Sequence, residues 1–68
     1  MADIATRLGK RVREIRHKKD MSQADVAKIL AVHPTYISSI ERGVRNMALK
    51  NIERLAKALN VPIEDLIK

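Results

Sequence analysis

Thr35, Ser38, Ser39 and Arg42 stand at positions i, i+3, i+4 and i+7, the spacing that puts side chains on one stripe of a helix. Every member can form hydrogen bonds. Ile37 and Ile40 fall on the other side of the same helix. A helix that turns isoleucines toward a core and a row of hydroxyls and a guanidinium outward can touch base edges in the major groove of a duplex. Any surface helix also carries a polar stripe, so the spacing alone leaves both readings open. Other chemistries are poorly served. The chain has two histidines, His17 and His33, and no cysteine, too few ligands at useful spacing for a metal site. No nucleophile sits beside a histidine in a local catalytic motif, and no glycine-rich phosphate loop occurs. The expectation is a binding protein rather than an enzyme, with no metal and no cofactor.

Charge narrows the partner. Against 14 Lys and Arg the 68 residues carry 8 Asp and Glu, a net charge of +6, which attracts polyanions. Tyr36 is the only aromatic residue; proteins that read single strands or RNA stack bases on several rings, so duplex DNA is favoured. The longest uncharged stretch, Ile29 to Ile40, is interrupted by His33, Pro34, Thr35 and Ser38, which excludes a membrane span. Asp3 and Arg7 break any apolar signal segment. Together with the lack of cysteine, these features make the cytoplasm the expected location.

The elements that must position the stripe read as all-α, in five pieces, over residues 1–68 as one domain. Apolar residues recur at helical spacing and strand-like alternation is absent. A first helix runs roughly from Asp3 to Lys19, with Asp3 as N-cap and Ile4, Leu8, Val12 and Ile15 on its inner stripe. Arg7, Lys10, Arg11, Glu14 and Lys18 lie off that stripe, toward solvent. The second begins after Ser22, which forms a capping-box pattern with Asp25, turns Val26, Ala27 and Leu30 inward and stops near Ala31. The third starts at Pro34, suited to the first helical position, with His33 as a weak N-cap. It ends at Arg42 before a left-handed Gly43. The fourth covers about Ala48 to Leu59, burying Leu49, Ile52, Leu55, Ala56 and Leu59, with Asn60 as its left-handed stop. A fifth starts at Pro62, with Leu66 inward.

Residues 21–43, MSQADVAKILAVHPTYISSIERG, therefore hold two short helices joined by a tight turn, a helix-turn-helix over about 22–42 whose second helix can enter a groove. With Gly9 and Arg16 in the first helix and LAKALNV in the fourth, this stretch resembles the lambda-repressor-like, or xenobiotic-response-element, helix-turn-helix family. The likeness runs from about Leu8 to Leu66. TYISSIERGVRN, Thr35 to Asn46, is most similar to the controller proteins of restriction-modification systems. The resemblance implies a compact five-helix DNA-binding fold. It implies base reading by Thr35 and Ser39, with Ser38 next in line, and Arg42 facing the DNA. It further implies a phosphate contact or a bracing role for Gln23, a phosphate contact for Tyr36, and contacts by Arg45 and Asn46 to the backbone or minor groove. Two positions depart from the family. Pro34 replaces a long polar side chain and so removes a base contact or exchanges it for a thymine methyl. Ala31 replaces the usual turn glycine, where a left-handed backbone would strain alanine, so an adjusted turn is expected.

Arg16 and Glu41 have another role. Each follows an inward residue by four, Val12 and Ile37 respectively, so the two charges face each other across buried stripes and read as an ion pair that orients helices. One helix reads half a site, so a homodimer on a roughly palindromic operator is expected, with Met47, Ile63 and Ile67 as its interface. No small-molecule ligand is expected. The alternative is a protein-interaction module on the same fold, such as an antitoxin or a bridging cofactor.

Overall fold

The structure, a computed structural model, describes residues 3–67. Its helices are α1 (Ile4–Lys18), α2 (Gln23–Leu30), α3 (Pro34–Glu41), α4 (Leu49–Leu59) and α5 (Glu64–Ile67). The helix ends follow from local chemistry. Asp3 Oδ1 accepts the Thr6 N–H at 2.8 Å. Ser22 and Asp25 satisfy each other's amides, Asp25 N–H donating to Ser22 Oγ at 3.0 Å and Ser22 N–H to Asp25 Oδ2 at 2.9 Å, so two amides without helical partners are closed at the start of α2. Asn60 (φ 56°) and Gly43 (φ 74°) take the left-handed conformation. The last helix is shorter than the sequence suggests: Pro62 precedes it, its carbonyl accepting from Asp65 N–H at 3.0 Å.

The turn between α2 and α3 is not adjusted around Ala31. Ala31 itself adopts φ 59°, ψ 43°, and the bonds Ala31 N–H to Lys28 O (3.2 Å) and Val32 N–H to Ala27 O (3.0 Å) close the helix. An alanine there costs roughly 1–2 kcal/mol relative to its right-handed conformation, and packing of α3 on α2 holds it in place.

One buried cluster fills the interior, drawing Leu8, Val12 and Ile15 from α1, Val26, Ala27 and Leu30 from α2, Ile37 and Ile40 from α3, Ile52, Leu55, Ala56, Ala58 and Leu59 from α4, and Leu66 from α5. α3 packs against both α1 and α2, while α5 lies on α1 and α4 on α2. The α1–α3 approach is close enough to require glycine: a Cβ at Gly9 would run into the carbonyl oxygens of Ile40 and Glu41. Three stripe assignments are corrected. Ile4 is 78% and Leu49 65% exposed, because each stripe continues into the first turn of its helix, beyond the elements that cover it. Arg11, expected in solvent, is half-buried and donates from Nε to Asp65 O at 2.7 Å, tying α1 to the last helix.

Candidate nucleic-acid interface

α3 is clamped before it is displayed. Arg16 donates from Nε to Glu41 Oε2 at 2.7 Å and from Nη2 to Glu41 Oε1 at 3.0 Å, a two-pronged pair whose side chains are only 10% and 6% exposed. Two further contacts hold the guanidinium: Nη1 donates to Met21 O at 2.9 Å and Nη2 lies 3.2 Å from His17 Nε2. Gln23 Nε2 adds a bond to Glu41 Oε1 at 3.2 Å. The first residue of α2, the last turn of α1 and the last residue of α3 are thereby joined at one carboxylate. Burial pushes the Glu41 carboxyl up, but hydrogen bonds from Arg16 and Gln23, with the charges of Arg16 and Arg13, outweigh it and hold the group below the ordinary carboxylate value. The bond to Glu41 correspondingly raises Arg16, against the opposing effect of burial.

The outward side of α3 carries Thr35 and Arg42 exposed and Ser38 half-buried. Ser39 belongs elsewhere. It is 8% exposed, its Oγ donates to Tyr36 O at 2.7 Å and accepts from Arg45 Nε at 2.9 Å. The Arg45 guanidinium also lies over the Tyr36 ring, 4.5 Å from its centroid, a favourable cation–π placement. Ser39, Tyr36 and Arg45 thus form one cluster that folds the α3–α4 loop back onto α3, and the Ser39 hydroxyl is occupied within the chain. Asn46 is exposed in the same loop.

At the start of α3, His33 caps the helix through its ring: Nδ1 accepts from Thr35 N–H at 3.2 Å and stands 2.9 Å from Thr35 Oγ1. The sequence marks His33 only as a weak cap, and the bond to the Thr35 hydroxyl is not foreshadowed. The signal was the His-Pro-Thr order, since Pro34 leaves Thr35 N–H as the first amide of α3 in need of a partner.

Of the three residues expected at a dimer interface, Met47 and Ile67 line different hollows. Met47 is partly buried against the core, beside Leu30, Val32, Tyr36, Asn51 and Arg54. Ile63 also packs partly on the core. Ile67 is 54% exposed and lines a hollow of about 300 Å³ with Ile4, Arg7, Leu8, Ile52 and Leu66.

Among the described residues no helix is long and apolar enough to cross a membrane, and no cluster of His, Asp and Glu stands ready to hold a metal ion.

The helix-turn-helix family profile matches residues 10–66. The chain is 48% identical over 66 residues to Control protein C.BamHI of Bacillus amyloliquefaciens, covering 96% of this chain and 82% of that protein. Among solved structures it is similar to the restriction-modification controller protein C.AhdI from Aeromonas hydrophila, at 37% identity and a TM-score of 0.85, covering 91% of this chain and 94% of that one. It also matches the controller protein C.Esp1396I, solved as a tetramer with its natural 35 base-pair operator, at 30% identity and a TM-score of 0.82 over 100% of both chains. The chain belongs to the helix-turn-helix family that includes the restriction-modification controller proteins.

Proposed function

We propose that this protein is a sequence-specific regulator of transcription that binds duplex DNA as a dimer and controls restriction-modification genes. The observation that carries the reading is the division of labour on α3: its inner side and C-terminal end are fixed by Ile37, Ile40 and the Arg16–Glu41 pair, while Thr35, Ser38 and Arg42 face outward. A rigid helix with a polar outer row suits the major groove, where base edges present hydrogen-bonding groups. Arg45, held by Ser39 and Tyr36, supplies a pre-placed cation beside that helix for the phosphate backbone or the minor groove, and Asn46 shapes the same loop. Gln23 braces α3 through Glu41; its amide nitrogen carries a second hydrogen for a phosphate. The Tyr36 hydroxyl is a further phosphate ligand. The chemistry is binding, not catalysis.

The dimer surface proposed is the apolar ground around Ile67, with Ile4 as the exposed neighbour that a second copy would cover and Ile52 and Leu66 lining the hollow between them. Met47 and Ile63 contribute less, being partly used by the core. The tetrameric state of C.Esp1396I on its operator supports assembly by copies of one chain. Two protomers of 31 × 22 × 22 Å side by side can place their recognition helices about 34 Å apart, one turn of DNA.

Selection of bound fragments from random duplex DNA, followed by salt titration in gel shifts, tests the reading. A palindromic preference and a steep loss of affinity with salt are expected. Uniform, sequence-blind binding would overturn it.

A further inference from the structure

His33 and Thr35 make an arrangement whose proton positions can be worked out. The Thr35 backbone N–H can only donate, and it lies 3.2 Å from His33 Nδ1, so Nδ1 is the unprotonated nitrogen of the ring. The Thr35 Oγ1 is 2.9 Å from the same nitrogen. A nitrogen without hydrogen cannot donate to it, so the hydroxyl hydrogen of Thr35 points at Nδ1. Both donors of Thr35 therefore converge on the single lone pair of Nδ1. Pro34 keeps the unit together, because its ring fixes φ between the two residues and removes the amide that would otherwise compete for the cap.

From this geometry we infer that His33 determines what Thr35 reads. With its hydrogen directed to His33, the Thr35 oxygen has only lone pairs to offer outward. In the major groove an acceptor matches the exocyclic amino groups, adenine N6 or cytosine N4, and is mismatched against guanine O6 and thymine O4. A hydroxyl free to rotate would serve either class equally. His33 is therefore a specificity-determining residue that acts through Thr35 and gives it a preference for adenine or cytosine on the contacted strand. The inference rests on the placement of Thr35 in the major groove proposed above.

The test begins with duplexes selected from random DNA by the full chain and by Thr35→Val. The base pair at which Thr35→Val relaxes the preference is the one Thr35 faces. At that position the amino-bearing base is replaced by guanine or thymine, which present a keto oxygen in the major groove instead. Wild type should bind the replaced duplex about two- to tenfold more weakly, the worth of one hydrogen bond. His33→Asn, whose side-chain oxygen caps the helix and only accepts, should keep that penalty. His33→Ser also caps the helix but can donate to Thr35, which frees the Thr35 hydrogen for the keto oxygen, so the penalty should fall toward onefold with folding preserved. Retention of the full penalty in His33→Ser would overturn the inference. So would selection of guanine or thymine at the Thr35 position, and in that case the groove placement of Thr35 would still stand. If Thr35→Val leaves every position unchanged, the groove placement fails and the inference falls with it.

Discussion

The two ends of α3 are held by different means. At its C-terminal end, Glu41 is gripped by Arg16 from 25 residues away and by Gln23 from 18, out of water and with two charges opposed. At its N-terminal end, His33 reaches only two residues along the chain, at the exposed surface. The first arrangement joins three helices and fails as a unit, because removing one buried charge strands the other. The second fixes a helix end and one hydroxyl and leaves the rest of the molecule indifferent. The contrast separates residues that make the fold from residues that make the specificity, and mutations should divide along the same line.

The sharpest break is at the buried end. Glu41→Ala should destabilise by about 3–5 kcal/mol, the cost of an unpaired buried charge, which is most of the stability a domain this small commands. Urea or thermal unfolding measures it. Arg16→Met combined with Glu41→Leu should lose much less than either change alone, since no charge is then stranded. A double variant as unstable as the sum of the singles would place the damage in packing rather than charge.

Reading the DNA face should leave stability nearly untouched. Arg42→Ala is expected to weaken binding to the selected duplex by about 1–3 kcal/mol with a melting temperature close to wild type. Arg45→Ala should weaken all duplexes evenly and reduce the salt slope by about one unit, measured by gel shift at several salt concentrations. If Arg45→Ala changes sequence preference instead, its guanidinium reads bases.

Acid should weaken the buried end. Glu41 has its carboxyl held below the ordinary value, so the unfolded chain takes up a proton at a higher pH than the folded one. The stabilisation from the pair is therefore complete above the unfolded carboxylate value and is lost as pH falls through the folded one. Asp3 and Asp25, lowered by their cap bonds to Thr6 and Ser22, work in the same direction. Below about pH 4.5, stability of the wild type should fall more steeply than that of Glu41→Gln, and equal slopes would remove Glu41 from the account. The smallest effect is at the turn. Ala31→Gly should stabilise by about 0.5–1 kcal/mol by relieving the left-handed alanine, less whatever glycine loses in unfolded-chain entropy.

Much of this was legible because it depends on spacing. The caps at Asp3 and Ser22 and the opposition of Arg16 to Glu41 follow from positions three and four apart, which helical geometry places on one side, and the stops at Gly43 and Asn60 follow from residue types that accept the left-handed backbone. What spacing does not encode is the cover. Ile4 and Leu49 continue their stripes correctly, yet among the described residues nothing buries them, because periodicity marks a helix side and not the neighbour that covers it. Ser39 shares the outer stripe with Thr35 and Arg42 by number, but it lies at the margin where α3 meets the loop. The return of Arg45 to it depends on loop conformation that no helical period fixes. Periodicity likewise does not say which neighbours Met47 and Ile67 meet: Met47 lies beside Leu30, Val32 and Tyr36, and Ile67 beside Ile4, Leu8 and Leu66.

The central claim is that the outer row of α3 reads sequence while its buried end holds the fold. The most direct test is selection from random duplex DNA with the wild type and with a Thr35→Val, Arg42→Ala double variant, alongside thermal melts of both. The account predicts a changed or flattened base preference at the positions these residues face, with melting temperatures within a few degrees. An unchanged preference in a folded double variant would contradict it.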